Sequence, residues 1–180
     1  MTLKVSKIYD CIVTGDADSL TDITIPISSL DLDENQTGIS SLTIVCPDGL
    51  NFASSILARP NGGLILSSYD LYSDGSSALE KELDEFLITS ISDSSGASSH
   101  SVSITGQVEI TNPSPKTENI IGESFIFTNK DGTVRIRGSV NMLLLPGDTL
   151  TYSGGSFTVD KIAINIRAES TSSTMEVSSG

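Results

Sequence analysis

The sequence predicts an all-β protein, and three observations carry that prediction. Short runs with apolar residues at every second position recur along the 180 residues, separated by turn residues at intervals of roughly 8–12 residues. Ser and Thr are abundant, at 31 and 17 residues, and Thr suits a pleated surface as Val, Ile and Tyr do. Good helix formers are scarce outside one short window. We therefore expect a barrel or sandwich of about ten short, mostly antiparallel strands, with at most one or two short helices.

The N-terminal third of the chain contains three predicted strands and one predicted helix. Residues 7–14 (KIYDCIVT) form the first strand. Residues 20–32 form the second, in which isoleucines alternate with other residues and Pro26 favours an edge position or the end of the strand. Residues 40–46 (SSLTIVC) form the third. Residues 50–58 (LNFASSILA) fit a short helix better than a strand, because Phe and Ile are spaced by four with Ala and Ser between them.

The middle of the chain predicts three further strands. Residues 64–71 form one of them, after an Asn-Gly-Gly turn. Residues 77–83 (SALEKEL) fit a helical turn, but their apolar residues continue into Phe-Leu-Ile, so we predict one long strand over residues 82–92. Its hairpin partner is residues 99–108, where Val and Ile alternate with Ser and Thr.

A proline-rich break at residues 112–116 (NPSPK) interrupts the pattern, since two prolines in three residues exclude a continuous strand ladder. Two hairpins follow it. The first pairs residues 125–128 with 133–137 around an Asp-Gly turn, and the second pairs residues 149–152 with 157–165.

The break also suggests how the chain is organised. We predict a main acidic β domain over residues 7–111. The hairpins of residues 119–168 pack on that domain or form a small second β domain. Residues 169–180 are polar and small, which predicts a loosely ordered tail.

The charge balance is strongly acidic, with 23 acidic residues against 10 Lys plus Arg and a formal net charge of −13. Such a surface repels phosphate, which argues against nucleic acid and anionic membranes as partners. The N-terminus has no signal peptide, and no apolar run is long enough to span a bilayer. We therefore expect synthesis in a cytoplasm, where Cys11 and Cys46 would be two buried free thiols.

Catalytic chemistry has little support in the sequence. His100 is the single histidine, and no serine lies in a Gly-x-Ser-x-Gly elbow. We interpret His100 as an exposed strand residue and predict no catalytic residue and no enzymatic activity. A carboxylate pair for sugar chemistry stays open, but with no Trp, four Tyr and five Phe the chain offers few stacking faces for a glycan.

Metal binding is also not predicted. Two cysteines 35 positions apart and one histidine do not supply zinc-ligand spacings. Two acidic clusters offer the oxygen ligands that calcium prefers, although neither has the glycine and distal glutamate of a calcium loop. We interpret both as solvated acidic turn residues and expect no metal and no cofactor; they are Asp16, Asp18 and Asp22, and Asp31, Asp33, Glu34 and Asn35.

An alternating basic row is the one surface feature with a possible binding role. Arg135 and Arg137 alternate with Val134 and Ile136, so both guanidinium groups should project from one face of a strand. On a net-acidic protein such a row could meet the acidic part of a neighbouring copy. An ordinary solvated face explains it equally well.

Taken along the chain, the order of segments resembles small virion proteins of tailed phages and prophages. The likeness spans about residues 7–167 and depends on turn punctuation; its most specific pieces are an Arg-Pro-x-Gly turn and a Pro-Gly-Asp-Thr turn. The segments concerned are residues 8–15 (IYDCIVTG), 25–30 (IPISSL), 58–62 (ARPNG), 134–137 (VRIR), 145–149 (LPGDT) and 157–162 (FTVDKI).

This resemblance implies a structural component similar to the β-barrel domains of tail hub, tail-tip or baseplate proteins. It implies a location in the virion and packing against copies of itself and other virion proteins, without nucleic acid or membrane. A homo-oligomer is expected. The alternative is a receptor- or glycan-binding β-sandwich module on a particle or cell surface. No functional residue carries over, because such families are defined by interfaces.

Overall fold

The computed structural model describes residues 3–15, 20–47, 49–95, 100–167 and 173–180. Within them the chain forms fifteen strands and one helix. These are β1 (Lys4–Val13), β2 (Ile23–Ile25), β3 (Ser29–Asn35), β4 (Ser40–Cys46), α1 (Gly49–Leu57), β5 (Gly63–Tyr72), β6 (Ser77–Glu82), β7 (Phe86–Ser95), β8 (His100–Val108), β9 (Thr117–Asn119), β10 (Phe125–Thr128), β11 (Val134–Gly138), β12 (Thr149–Tyr152), β13 (Gly155–Thr158), β14 (Lys161–Arg167) and β15 (Thr174–Ser178).

The chain divides into two compact units, each built from two separate stretches of sequence. Unit 1 comprises residues 1–28 and 43–108, and unit 2 comprises residues 29–42 and 109–180. The proline-rich break at residues 112–116 therefore belongs to unit 2. The predicted organisation, a main domain at residues 7–111 with the hairpins of residues 119–168 packed on it or forming a small second domain, stays a prediction.

Unit 1 is a sheet whose strands follow the order β4, β8, β7, β5, β1, β2, with β6 paired to β5 as well. The pairs β1–β2, β1–β5, β5–β6, β5–β7 and β7–β8 are all antiparallel. The period-two pattern decides which face is buried: in β1, Cys11 and Val13 are inaccessible, and their partners Leu66 and Leu64 on β5 are buried with them.

Helix α1 lies against β7 and β8 and buries Ala53 and Ile56. Arg59 follows the helix and is itself buried, with its guanidinium donating to the Ser55 carbonyl in the last turn and, at 2.6 Å, to the Thr21 carbonyl. This arginine satisfies one carbonyl at the helix end and ties the loop before β2 to the helix. The predicted helix at residues 50–58 is confirmed.

Unit 2 contains two sheets. The larger follows the order β10, β11, β15, β14, β3 and is antiparallel throughout. The smaller follows the order β13, β12, β9, where β12 and β9 are parallel. The buried side chains of unit 2 come from alternate positions of these strands, from the start of β4 and from the apolar run after β11; the largest are Leu30, Leu32, Leu42, Ile136, Leu144 and Leu150.

Three predicted strands are each broken in two, and the one expected at residues 157–165 is divided between β13 and β14. The strand expected at residues 20–32 becomes β2 and β3, and Pro26 lies between them, where its missing N–H interrupts the ladder. The strand expected at residues 82–92 starts at Phe86, because β6 already ends at Glu82 after pairing with β5. The intervening Leu83 is buried and its N–H donates to the Leu66 carbonyl at 2.9 Å.

The prediction of a loosely ordered tail over residues 169–180 is wrong where the structure describes it. Strand β15 pairs with β11 on one side and β14 on the other. Met175 and Val177 alternate with polar residues and are buried, so burial on one sheet face fixes the register of this segment despite its many serines. Residues 169–172 of the predicted tail lie outside the described residues.

The all-β prediction is confirmed, with one short helix and antiparallel pairing nearly throughout. Among the described strands the sheet is not closed into a barrel, and fifteen strands form where about ten were expected, so the prediction of a barrel or sandwich is confirmed only in part. No helix in the described part of the chain is long and apolar enough to cross a membrane.

Candidate interaction surface

The arginine row predicted from the sequence lies on the outer face of strand β11. Arg135 and Arg137 are exposed, whereas Ile136 between them is inaccessible. The prediction that the two guanidinium groups share one face is therefore confirmed. Strand β11 keeps this register because it pairs on both sides, with β10 and with β15, and Ile136 contributes to the buried face.

An exposed aromatic pair lies directly beside the arginines. Phe125 and Phe127 on β10 are 51% and 49% exposed, and their rings are stacked with centroids 6.3 Å apart and planes 10° apart. In the antiparallel register Phe125 is opposite Arg137 and Phe127 is opposite Arg135. The four side chains consequently form one patch, which we call the Phe–Arg patch. Aromatic residues and arginine are enriched in protein–protein interfaces.

Strand β10 is exposed on both faces and along one edge. Ile126, on the opposite face from the two phenylalanines, is also 39% exposed. Of the described strands, β11 alone pairs with β10, so the outer edge of β10 presents unpaired backbone groups. Soluble proteins normally protect such an edge with charges, proline or a bulge, because a flat apolar edge recruits further strands. The Phe-Ile-Phe sequence of β10 has none of these.

Ion pairs cover the rest of this outer face. Arg137 reaches Glu176 on β15 at 3.3 Å, and Lys161 on β14 reaches Asp33 on β3 at 3.4 Å. Both pairs are well exposed and contribute little to stability. Arg135 faces Ser178 instead, and within the described part of the chain it has no ion pair. Its charge is therefore the one in the patch most open to a partner.

A buried carboxylate organises the Pro-Gly-Asp-Thr turn of unit 2. Asp148 is 1% exposed. Its Oδ1 accepts hydrogen bonds from the Asn112 side-chain amide and the Lys116 N–H, both at 2.9 Å, and its Oδ2 accepts one from the Leu145 N–H at 2.9 Å. Asn112 also donates to the Pro146 carbonyl at 3.0 Å. This network holds the proline-rich break against the turn.

An open groove of about 500 Å³ lies next to that network in unit 2. Its lining is mostly amide, hydroxyl and proline side chains: Gln36, Thr37, Glu109, Thr111, Asn112 and Pro115 contribute to it. The groove is open to solvent, and we treat it as part of the surface of unit 2.

His100 is in strand β8 as predicted, but it is half-buried rather than exposed. Its Nε2 is hydrogen-bonded to the carboxylate of Asp93 on β7. The nearby hydroxyls of Ser94 and Ser101 bond to each other at 2.9 Å. In the described part of the chain no serine hydroxyl is bonded to the imidazole, so this arrangement lacks the nucleophile–base contact that a hydrolase needs.

The second acidic cluster considered for calcium lies on a strand, not in a turn. Asp31 and Asp33 project from the outer face of β3, whereas Glu34 points to the buried face and is 2% exposed. Asp31 accepts a hydrogen bond from Asn165, and Asp33 is paired with Lys161. Side chains on opposite faces of a strand cannot converge on one cation.

Most of the first acidic cluster lies outside the described residues, which include Asp22 but neither Asp16 nor Asp18. Asp22 accepts a hydrogen bond from the Gly15 N–H at 3.1 Å. Across the described ranges, no three His, Cys, Asp or Glu side chains come together as a metal site would require.

The two cysteines are buried thiols that are not joined by a disulfide, as the sequence predicts. Burial, and then the nearby Cys46, raise the pKa of the Cys11 thiol to about 12. A thiol in that state stays protonated at neutral pH and is a poor nucleophile. Cys11 therefore contributes to the core of unit 1 rather than to chemistry.

Sequence analysis missed the aromatic half of the Phe–Arg patch. The signal is present as the Phe-Ile-Phe run of β10, three consecutive large apolar residues without polar alternation. Such a run normally indicates a strand buried on both faces. Here the structure leaves it exposed on both faces, which makes it a candidate contact surface.

Comparison with known proteins identifies the fold but no relative in sequence. No protein-family model and no curated protein matches the sequence. The fold is shared with the crystal structure of the tail protein from Neisseria meningitidis MC58, at a TM-score of 0.55 and 8% identity, over 97% of this chain and 96% of that one.

A second solved structure with this fold is the Escherichia coli c3393 protein. It is described as a component of the type VI secretion system with structural similarity to the phage T4 tail proteins gp27 and gp5. The match has a TM-score of 0.54 and 6% identity, and it covers 93% of this chain and 75% of that one. The likeness to tail proteins expected from the sequence is thus confirmed at the level of the fold.

Proposed function

We propose that this chain is a non-enzymatic structural subunit of a tailed phage virion. It would belong to the tail, at the tip, hub or baseplate, and would act by packing against copies of itself and other virion proteins. The observation that carries this proposal is the fold shared with the Neisseria tail protein along nearly the whole of both chains.

The surface of the molecule supports a packing role. A Phe–Arg patch beside a free strand edge has the composition of a protein interface and no evident use in an isolated monomer. The net charge of −13 favours protein partners over nucleic acid and anionic membranes.

Immunogold electron microscopy of purified particles tests this proposal. An antibody raised against the chain is applied to particles released from the source strain, together with a second antibody against a capsid protein. We expect label from the first antibody at the distal end of the tail and label from the second on the head. Intact tails that carry no label, with the chain left entirely in the supernatant, would contradict the proposal.

A deletion strain gives an independent measurement. If the chain is a tail subunit, particles made without it should lack normal tails or fail to infect, and expression of the chain in trans should restore them. A chain needed for host lysis or receptor binding alone would leave tail morphology intact.

A further inference from the structure

Among the edge strands that the structure describes, which also include β2, β9 and β13, two have opposite character. Strand β10 pairs only with β11, and strand β6 pairs only with β5, among the strands that the structure describes. Each therefore presents a row of unpaired backbone donors and acceptors, which a strand from another chain can satisfy.

The edge strand β6 has an apolar side chain and a carboxylate on the same outer face. A register shift between Ser68 and Tyr69 of β5 inserts an extra residue into β6. As a result Leu79 pairs with Tyr69, whereas Glu82 pairs with Ser67, two positions along β5. Leu79 is 56% exposed, and Glu82 is exposed beside it.

The two edges differ in charge. The segment around β6, residues 74–85, contains five carboxylates and one lysine. Glu80 is engaged by Lys7, and Glu82 accepts a hydrogen bond from the Ser67 hydroxyl at 3.3 Å but carries no ion pair in the described part of the chain. The Phe–Arg patch instead presents two guanidinium groups, and Arg135 has no ion pair in the described part of the chain. On a chain of net charge −13, a basic edge and an acidic edge are complementary between copies.

We infer that the edge of β10 docks onto strand β6 of a second copy. The added strand would lie about 4.8 Å from β10. On the outer face Phe125 and Phe127 would pack against Leu79 of the next copy, with its Glu82 within reach of Arg135. Because the two edges differ, the contact is head-to-tail and produces a ring if it closes or a filament if it does not.

The alternative occupant, β10 of a second copy, fits the charges less well. It would place two pairs of arginines on one face without any carboxylate from the partner strand. Pairing with β6 supplies Glu82 instead, and it covers the exposed Leu79 as well.

The area involved indicates a weak contact in dilute solution. A phenylalanine side chain can bury about 150–250 Å². Because Phe125 and Phe127 are each about half exposed, together they can bury roughly 200 Å² more in a contact. A stable interface buries about 1,000 Å² or more. Association should therefore depend on protein concentration, and closure of a ring, in which each copy uses both edges, should strengthen it.

Charge reversal with rescue tests the inference in the intact chain. Sedimentation velocity across a wide concentration range measures self-association of the wild type, Arg135→Glu, Glu82→Arg and the double variant. Each single reversal should weaken association about tenfold by creating a like-charge contact, and the double reversal should restore most of it. Arg167→Glu, the same charge change on an exposed residue of β14, is the matched control and should behave as the wild type.

An apolar variant tests the other half of the contact. Phe127→Ser should abolish association at concentrations where the wild type assembles. Leu87→Ser is its control, because Leu87 is also exposed but lies on β7, which is paired on both sides. Unchanged circular dichroism and thermal unfolding show that each exposed substitution leaves the fold intact.

Three results would overturn the inference: a wild type that stays monomeric throughout, association that no variant changes, or a closed dimer lost in Phe127→Ser but unaffected by Glu82→Arg. The last would assign the edge to a second β10. The inference rests on the proposed packing role, but the two fail separately. Gold label on tails together with a monomeric, variant-insensitive chain would leave the proposed function standing.

Discussion

The buried carboxylate of Asp148 offers the sharpest test of how unit 2 is held together. Replacing it with alanine removes the acceptor for two backbone N–H groups, those of Lys116 and Leu145, and for the Asn112 amide. The Asn112 amide keeps its bond to the Pro146 carbonyl, so its loss is partial. The two backbone donors lose these partners.

The expected magnitude follows from those contacts. Leaving one buried donor unsatisfied costs about 1–3 kcal/mol, and hydrogen bonds to a charged acceptor lie at the upper end. Two backbone donors lose their acceptor, and water that enters the site can satisfy them in part. Asp148→Ala should therefore lower the free energy of unfolding by about 3 kcal/mol. Asp148→Asn keeps one acceptor oxygen but turns an NH₂ group toward a donor, so we expect a loss of about 2 kcal/mol.

Urea unfolding followed by circular dichroism measures these losses, and amide hydrogen exchange locates them. Protection should fall first in residues 109–116 and 145–149. Asp131→Ala is the control, since its exposed carboxylate accepts from the Thr133 N–H at 3.0 Å and removal should change stability little. If Asp148→Ala unfolds at the same urea concentration as the wild type, the network does not stabilise unit 2 and the argument from buried hydrogen bonds is wrong.

Three further measurements address other parts of the chain. Gly62→Ala should lower the free energy of unfolding by about 1–3 kcal/mol, because the new Cβ would lie 2.4 Å from the backbone oxygen of Thr14; a urea curve identical to the wild type would refute this close approach. Cys11 should react with a thiol reagent only after unfolding, since burial raises its pKa to about 12, and rapid labelling of the native protein would contradict that burial. An NMR titration of Glu123 should find its pKa below 4.5, because the Ser153 hydroxyl and N–H donate to its carboxylate at 2.5 and 3.0 Å. A group with a lowered folded pKa stabilises the fold above its unfolded pKa and loses that contribution as pH falls through the folded value. Ser153→Ala removes the hydroxyl but keeps the N–H, so it should raise the pKa of Glu123 and reduce acid sensitivity, and an unchanged titration would show that the hydroxyl does not bond to the carboxylate.

The sequence predicted the arginine half of the interaction surface and missed the aromatic half, for one physical reason. Alternation with Val134 and Ile136 requires Arg135 and Arg137 to share a face, whatever the strand packs against. By contrast, whether Phe125 and Phe127 are covered depends on which strands lie beside β10, and no local property of the run contains that information.

The same reasoning explains the errors in the strand boundaries. Strand β15 forms in a serine-rich tail because β11 and β14 leave a place for it and its two apolar residues are buried there. Asp33 was interpreted as a turn residue because acidic clusters are common in turns, whereas its pairing with β14 places it in a ladder. Both outcomes depend on partners distant in sequence.

Local physics therefore determined which kinds of secondary structure this protein forms: strands with a period of two, turns at Gly and Asp, one short helix, and an interruption wherever proline removes a backbone donor. It also determined the acidic surface and the absence of a recognisable catalytic motif in the sequence. The tertiary structure alone decided which strands pair, which edges stay open, and that Asp148 is buried among donors while the Phe–Arg patch is left in solvent. Pairing joins residues far apart in the chain, so the free energy that selects it is a sum over contacts that no single segment contains.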